Sequence, residues 1–205
     1  MRILLTGFQP FDKDRDNASW QTAQAVRCPQ GHEMRRVELP VTFDTAFALL
    51  RDVIECFCPD VVVSLGQATG RTAISVELFG VNWRDARIPD NDGAQPQREK
   101  IAAEGETAYM SNLPVYEMIE AMREAGFPAY VSFSAGGYVC NEILYSTSHF
   151  RKEFERRTGK TYRNGFIHLP LMREQALDHP RTAFMEVETM AAAVEKALEV
   201  IVNPA

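Results

Sequence analysis

The feature that most constrains this chain is a pair of short apolar runs that alternate with helical patterns. Arg2–Gly7 is apolar along most of its length and ends in glycine, and Val61, Val62, Val63 and Leu65 form a second run. Runs of this length without polar alternation suit parallel strands covered on both faces. Between them Asn17 can cap a helix reaching about Arg27, with Trp20, Ala23 and Val26 at helical spacing. Glu33–Leu39 reads as a strand closed by Pro40, and Asp44 to Cys58 as a helix with Phe47, Leu50, Val53 and Ile54 on one side. Strand and helix in alternation predict an α/β fold: a single open, twisted, mostly parallel sheet with helices on both faces. One domain over residues 1–205 is expected at this length.

The middle of the chain is less regular. Ile74–Trp83 reads as a strand or hairpin arm, Arg87–Gly93 is dense in turn formers, and Asn91 to Glu106 reads as a surface loop. Pro114 suits the first turn of a helix ending near Gly126. Ala129–Phe133 and Gly165–Leu169 are expected strands, with a helix from about Cys140 to Arg157 between them. A last helix spans Glu186–Val202, burying Met190, Ala193, Val194, Ala197 and Ile201.

Charge and cysteine content narrow the function classes. A formal net charge of −6 argues against nucleic acid as a partner, since phosphate binding needs a basic face. No apolar run approaches a membrane span. The segment MRILLTGFQPF has no sustained apolar region or cleavage site and reads as a first strand, not an export signal. Cys28, Cys56, Cys58 and Cys140 are therefore expected as reduced thiols of a cytoplasmic chain. The cysteines form no paired clusters with His32, His149, His168 and His179, so neither a metal nor another cofactor is expected.

Cys140 differs from the other cysteines in context. It follows a strand and the small-residue turn Ser134-Ala135-Gly136-Gly137, and it opens a helix. A helix N-terminus lowers a thiol pKa, and strand-turn-helix is how some hydrolases place a nucleophile. The competing reading is an inert core cysteine beside Tyr138 and Val139. A nucleophile needs a base and the base an orienting group. His168, in GFIHLP at a strand end, suits the base, although a satisfied core histidine would look the same. His149, His179 and His32 read as surface residues. Glu77 is a carboxylate inside the apolar stretch ISVELFGV, which calls for a partner. Asp85, Asp90 and Asp92 are alternatives in turn-rich sequence. The segment GQATGRT at Gly66–Thr72 approaches a phosphate loop, but it is a residue short between its glycines and has Arg for Lys. A tight loop lining a pocket is the better reading.

Six segments in order resemble the pyrrolidone carboxyl peptidase (pyroglutamyl peptidase I) family of cysteine peptidases. They are TGFQPF at Thr6–Phe11, LGQATGR at Leu65–Arg71, ISVE at Ile74–Glu77, DARIPDNDG at Asp85–Gly93, SAGGYVCN at Ser134–Asn141 and GFIHLP at Gly165–Pro170. The resemblance implies hydrolysis of the bond after an N-terminal pyroglutamyl residue. It implies a triad of Cys140 as nucleophile, His168 as base and then acid, and Glu77 as orienting group. It further implies that Arg87 stabilises the oxyanion, that Phe8 and Phe11 sandwich the lactam ring, and that Ile88 and Val139 close the apolar wall. Asn17 and Gln67 would supply polar contacts. N-terminally pyroglutamylated peptides are the implied partners and a homotetramer the implied assembly. The chain departs from the family pattern at Leu78, where Arg is usual, at Phe133, where Asn is frequent, and at Asp12, where Gly is frequent. The interval between Cys140 and His168 is also longer than usual. A relative that binds such peptides without turnover is the second reading.

Overall fold

The computed structural model describes residues 1–203. Its strands are β1 (Arg2–Phe8), β2 (Glu33–Leu39), β3 (Val61–Gln67), β4 (Ile74–Glu77), β5 (Phe79–Val81), β6 (Ala108–Met110), β7 (Ala129–Ser132) and β8 (Arg163–Leu169). Its helices are α1 (Ala18–Ala25), α2 (Thr45–Phe57), α3 (Val115–Glu124), α4 (Val139–Thr158), α5 (Arg173–Ala176) and α6 (Val187–Val202). Six strands form one open sheet in the order β2-β1-β3-β8-β4-β7, and β5 pairs with β6 separately. Every pairing in the large sheet is parallel except that of β4 with β8. The fold is thus α/β with a mostly parallel sheet, as the apolar runs predicted.

Alternation along the strands divides the core between the two faces. Ile3, Leu5, Val61, Val63, Val76 and Ile167 pack with α1, α3 and α6. Leu4, Val62 and Phe166 point the other way, against α2 and α4. Because side chains reverse at each residue of a strand, His168 shares the face of Phe166, and Glu77 lies opposite that of Val76. Both therefore belong to the α4 side. The helix stripe expected for the C-terminus is observed: Met190, Ala193, Val194, Ala197 and Ile201 are all fully buried.

One local expectation requires correction, two short elements escaped notice, and Gly66–Thr72 lines a cavity as its preferred reading had it. The stretch Ile74–Trp83 is two strands, not one: the chain leaves the large sheet at Leu78 and pairs with β6. Neither β6 nor α5 was visible in the sequence, for they are only three and four residues long and too short to show a period. Gly66 and Gln67 complete β3, and the loop after them leads into β4 instead of a helix. With no helix N-terminus to receive an anion, the phosphate-loop geometry is absent there. Among the described residues no helix is long and apolar enough to cross a membrane.

Candidate active site

The sheet and α4 bring Cys140, His168 and Glu77 together. Cys140 is the second residue of α4, preceded by a turn in which Gly136 has φ +83°. Its Sγ lies over Gly66, where a Cβ would stand 3.0 Å from the sulfur and 2.6 Å from the Phe166 ring. Gly66 is the register partner of His168 on β8. The missing side chain at 66 is thus what lets the thiol approach the sheet beside the imidazole. Glu77 is paired in register with Phe166, and its carboxylate reaches diagonally to His168, Oε1 lying 2.8 Å from Nδ1.

Electrostatics fix the protonation pattern. Burial opposes ionisation of Glu77. The hydrogen bond and charge of His168, with Ser132 and Arg71 behind them, nevertheless hold its pKa below the ordinary carboxylate value. For His168 burial dominates, and Arg71 adds to it against the pull of Glu77, so its pKa falls below the ordinary imidazole value. A neutral His168 donates Nδ1–H to ionised Glu77 and leaves Nε2 as a proton acceptor. The thiol departs from the sequence expectation. Burial, followed by the charge of Glu77, pushes Cys140 up to about 12, against the lowering by Arg71 and by its own backbone N–H. The helix terminus does not outweigh desolvation, so the resting pair is thiol and neutral imidazole rather than an ion pair.

Of the alternative acids, Asp90 serves as a turn cap, accepting hydrogen bonds from the N–H groups of Phe43, Asp92 and Ala94. Asp92 is exposed, and Asp85 lies at the cavity without a histidine partner among the described residues.

Two spaces that share Phe11, Gln67, Tyr138 and Cys140 in their linings open at this site. The larger, about 520 Å³, is bordered by Cys140, His168, Arg87, Ile88, Arg71 and the 134–137 turn. The smaller, about 40 Å³, is lined by Phe8, Phe11, Val41, Tyr138, Val139 and Cys140, with Asn17 and Gln67 beside them. Phe8 is buried against Phe166, and Phe11 faces Tyr138. Ile88 borders only the larger space; the apolar wall of the smaller one comes from Val41 and Tyr138 as well as Val139. Arg87 is exposed and forms no ion pair among the described residues.

Asn17 and Gln67 do more internal work than expected. Asn17 caps α1, its Oδ1 accepting from Ser19 N and Oγ, while Nδ2 donates to the Gln9 carbonyl. Gln67 Oε1 accepts from Ala18 N and Gln175 Nε2, and its Nε2 donates to Asp14. Each amide oxygen is saturated, and each amide nitrogen retains one unassigned N–H. These side chains can therefore offer donors to a ligand but no acceptors.

Several site residues were not singled out in the sequence. Arg71 pairs with Glu77, Nη1 to Oε1 at 2.7 Å, and arrives from a loop with no period to betray it. His179, read as a surface residue, lies at the rim of the larger space with Nε2 2.8 Å from Asp14 Oδ1. Val41 and Tyr138 carried no signal beyond being apolar or aromatic. Gly66 did have one, a glycine closing an apolar run. The departures are also placed. Leu78 packs into the core on the α3 and α6 face, whereas the cation beside Glu77 is Arg71. Asp12 adopts φ +57°, a conformation natural to glycine that Asp tolerates better than most residues. Phe133 is exposed.

Comparison with known proteins finds similarity along nearly the whole chain. The sequence profile of the pyroglutamyl peptidase family matches residues 1–204. The pyrrolidone-carboxylate peptidase of Finegoldia magna is 39% identical over 205 residues, covering 99% of this chain and 94% of that protein. The enzyme of the same name from Erwinia tasmaniensis is 39% identical over 201 residues, covering 97% and 92%. Pyroglutamyl peptidase I from Bacillus amyloliquefaciens superposes with a TM-score of 0.90 at 33% identity, covering 98% of this chain and 94% of that one. Pyrrolidone carboxyl peptidase from Pyrococcus furiosus gives 0.91 at 35% identity, covering 98% of both. On its fold and its full-length similarity, the chain belongs to the pyroglutamyl peptidase family.

Proposed function

We propose that this chain is a cysteine peptidase of the pyroglutamyl peptidase I type that hydrolyses the bond after an N-terminal pyroglutamyl residue. The observation that carries the mechanism is the row of neighbours from Cys140 over Gly66 to its register partner His168 and on to Glu77. The lactam ring enters the small space between Phe8, Phe11 and Val139, a flat apolar slot suited to an uncharged cyclic residue. Spare amide N–H groups of Asn17 and Gln67 serve its carbonyl.

His168 Nε2 takes the thiol proton as Sγ attacks the scissile carbonyl carbon, and Glu77 stabilises the resulting imidazolium. The oxyanion forms near the start of α4, whose first N–H groups have no side-chain cap, with Arg87 at the wall of the larger space. Aligned donors there are worth about 3–4 kcal/mol. His168 returns the proton to the leaving amine, and water attacking the thioester then releases pyroglutamate. The peptide beyond the scissile bond occupies the larger space. All three triad positions carry functional side chains, so nothing observed favours binding without turnover.

The test is hydrolysis of a pyroglutamyl chromogenic amide, with and without prior treatment by iodoacetamide. Turnover abolished by the alkylator and by Cys140→Ser, with the mutant's circular dichroism unchanged, is expected. Full activity in Cys140→Ser would overturn the mechanism, and failure of the wild type to turn over would overturn the activity.

A further inference from the structure

The guanidinium of Arg71 touches three pieces of the site at once. Nη1 lies 2.7 Å from Glu77 Oε1 and also contacts the Ser75 hydroxyl, while Nη2 reaches the Ser134 carbonyl at 3.4 Å. Ser134 opens the turn that delivers Cys140 to α4. The oxygen of Glu77 that accepts from Arg71 is the same one that holds His168 Nδ1, and Ser132 faces the same carboxylate. From these contacts we propose that Arg71 is a positioning residue of the peptidase reaction, its planar fork tying the acid to the nucleophile turn. The proposal rests on the reading of Cys140, His168 and Glu77 as the reacting triad.

Two consequences distinguish positioning from simple bracing. Arg71 neutralises Glu77, which is fully buried. Without that cation the carboxylate would hold a proton on His168 more tightly and would repel a Cys140 thiolate more strongly. This agrees with the direction in which Arg71 acts on both groups, lowering each. The groups facing Glu77 are His168 from β8, Ser75 from β4, Ser132 from β7 and Arg71 itself. Asp12, Asp85, Arg87, Tyr138 and His179 complete the ionisable border of the cavity. The second consequence concerns shape, because a lysine at 71 keeps the charge but cannot reach both Glu77 and the Ser134 carbonyl as a planar fork does.

The experiment compares the wild type with Arg71→Gln and Arg71→Lys in pH profiles of kcat/KM and in the rate of Cys140 alkylation by iodoacetamide. In Arg71→Gln the acid limb of kcat/KM is expected to move up by about one pH unit, the scale on which a neighbouring charge moves a pKa. Its alkylation rate at pH 8 should fall several-fold. In Arg71→Lys the acid limb should stay in place while kcat falls roughly tenfold, the cost of about 1.4 kcal/mol of lost alignment. An unmoved acid limb and alkylation rate in Arg71→Gln, or wild-type kcat in Arg71→Lys, would overturn the proposal. If Arg71→Gln does not fold, as thermal melting would show, Arg71→Lys alone decides. Alkylation needs no substrate, so a chain inactive on pyroglutamyl amides would still answer the question about Arg71.

Discussion

At the scale of single residues, the site depends on desolvation as much as on charge. Cys140 is kept as a thiol and His168 as a neutral base, and the pH dependence follows from that pairing. Because the pKa of His168 is held down, the imidazole remains able to accept a proton until the pH falls below the ordinary histidine value of 6.5. The acid limb of kcat/KM is accordingly expected below pH 6.5, measured on a pyroglutamyl amide; a limb above pH 7 would contradict the assigned base. Cys140, His168 and Glu77 each break a local rule, but local pattern left each with a competing structural reading, and the family resemblance is what joined them. One is a thiol after a glycine turn, one an imidazole at a strand end, and one a carboxylate in an apolar run. Arg71, Val41, Tyr138 and His179 break none. They matter only because the fold brings distant segments to one cavity, which local pattern does not encode.

Among the secondary-structure elements, the alternation of apolar runs and amphipathic helices was sufficient to predict the long strands and helices. What it could not supply was direction. β4 carries the same type of residues whether it runs with β8 or against it, yet it runs against it. The exit of the chain at Leu78 was hidden for a related reason: the apolar character continues unbroken while the pairing partner changes from β7 to β6. The strand β3 offers a sharper test. A methyl group at position 66 would overlap the Phe166 ring and press on the Cys140 sulfur. Gly66→Ala should destabilise the protein by about 1–3 kcal/mol, the usual cost of overpacking, and should depress kcat more than KM. Urea denaturation and steady-state kinetics measure the two effects. Wild-type stability and kcat together would show that the close approach is not required.

For the molecule as a whole, stability is linked to pH through a carboxylate that the reaction does not use. Glu142, in the first turn of α4, is buried, accepts from the Asp44 N–H, and lies 2.9 Å from Arg84. Burial pushes its pKa up to about 7, with Arg84 opposing the rise. A carboxyl group whose folded pKa is raised binds its proton more tightly in the native state. Its contribution is therefore full below the ordinary carboxyl value of 4.5 and is lost as the pH rises through about 7. Between pH 4.5 and 7.5 the wild type should lose on the order of 2–3 kcal/mol from this group. Glu142→Gln, which keeps an acceptor for Asp44, should lack that slope. Denaturation of both proteins at several pH values gives the difference directly, and parallel curves would exclude the assignment.

The position of β8 has a further consequence. It pairs with β3 on one side and β4 on the other, yet it is formed by residues 163–169, about a hundred positions after β3. During synthesis the chain therefore waits with two unpaired strand edges until its last fifth emerges, and such edges invite association with other chains. His168 travels on that late strand. The nucleophile cannot meet its base until the central gap in the sheet has closed, so proteolytic competence waits on the last strand of the sheet, with only α5 and α6 still to follow.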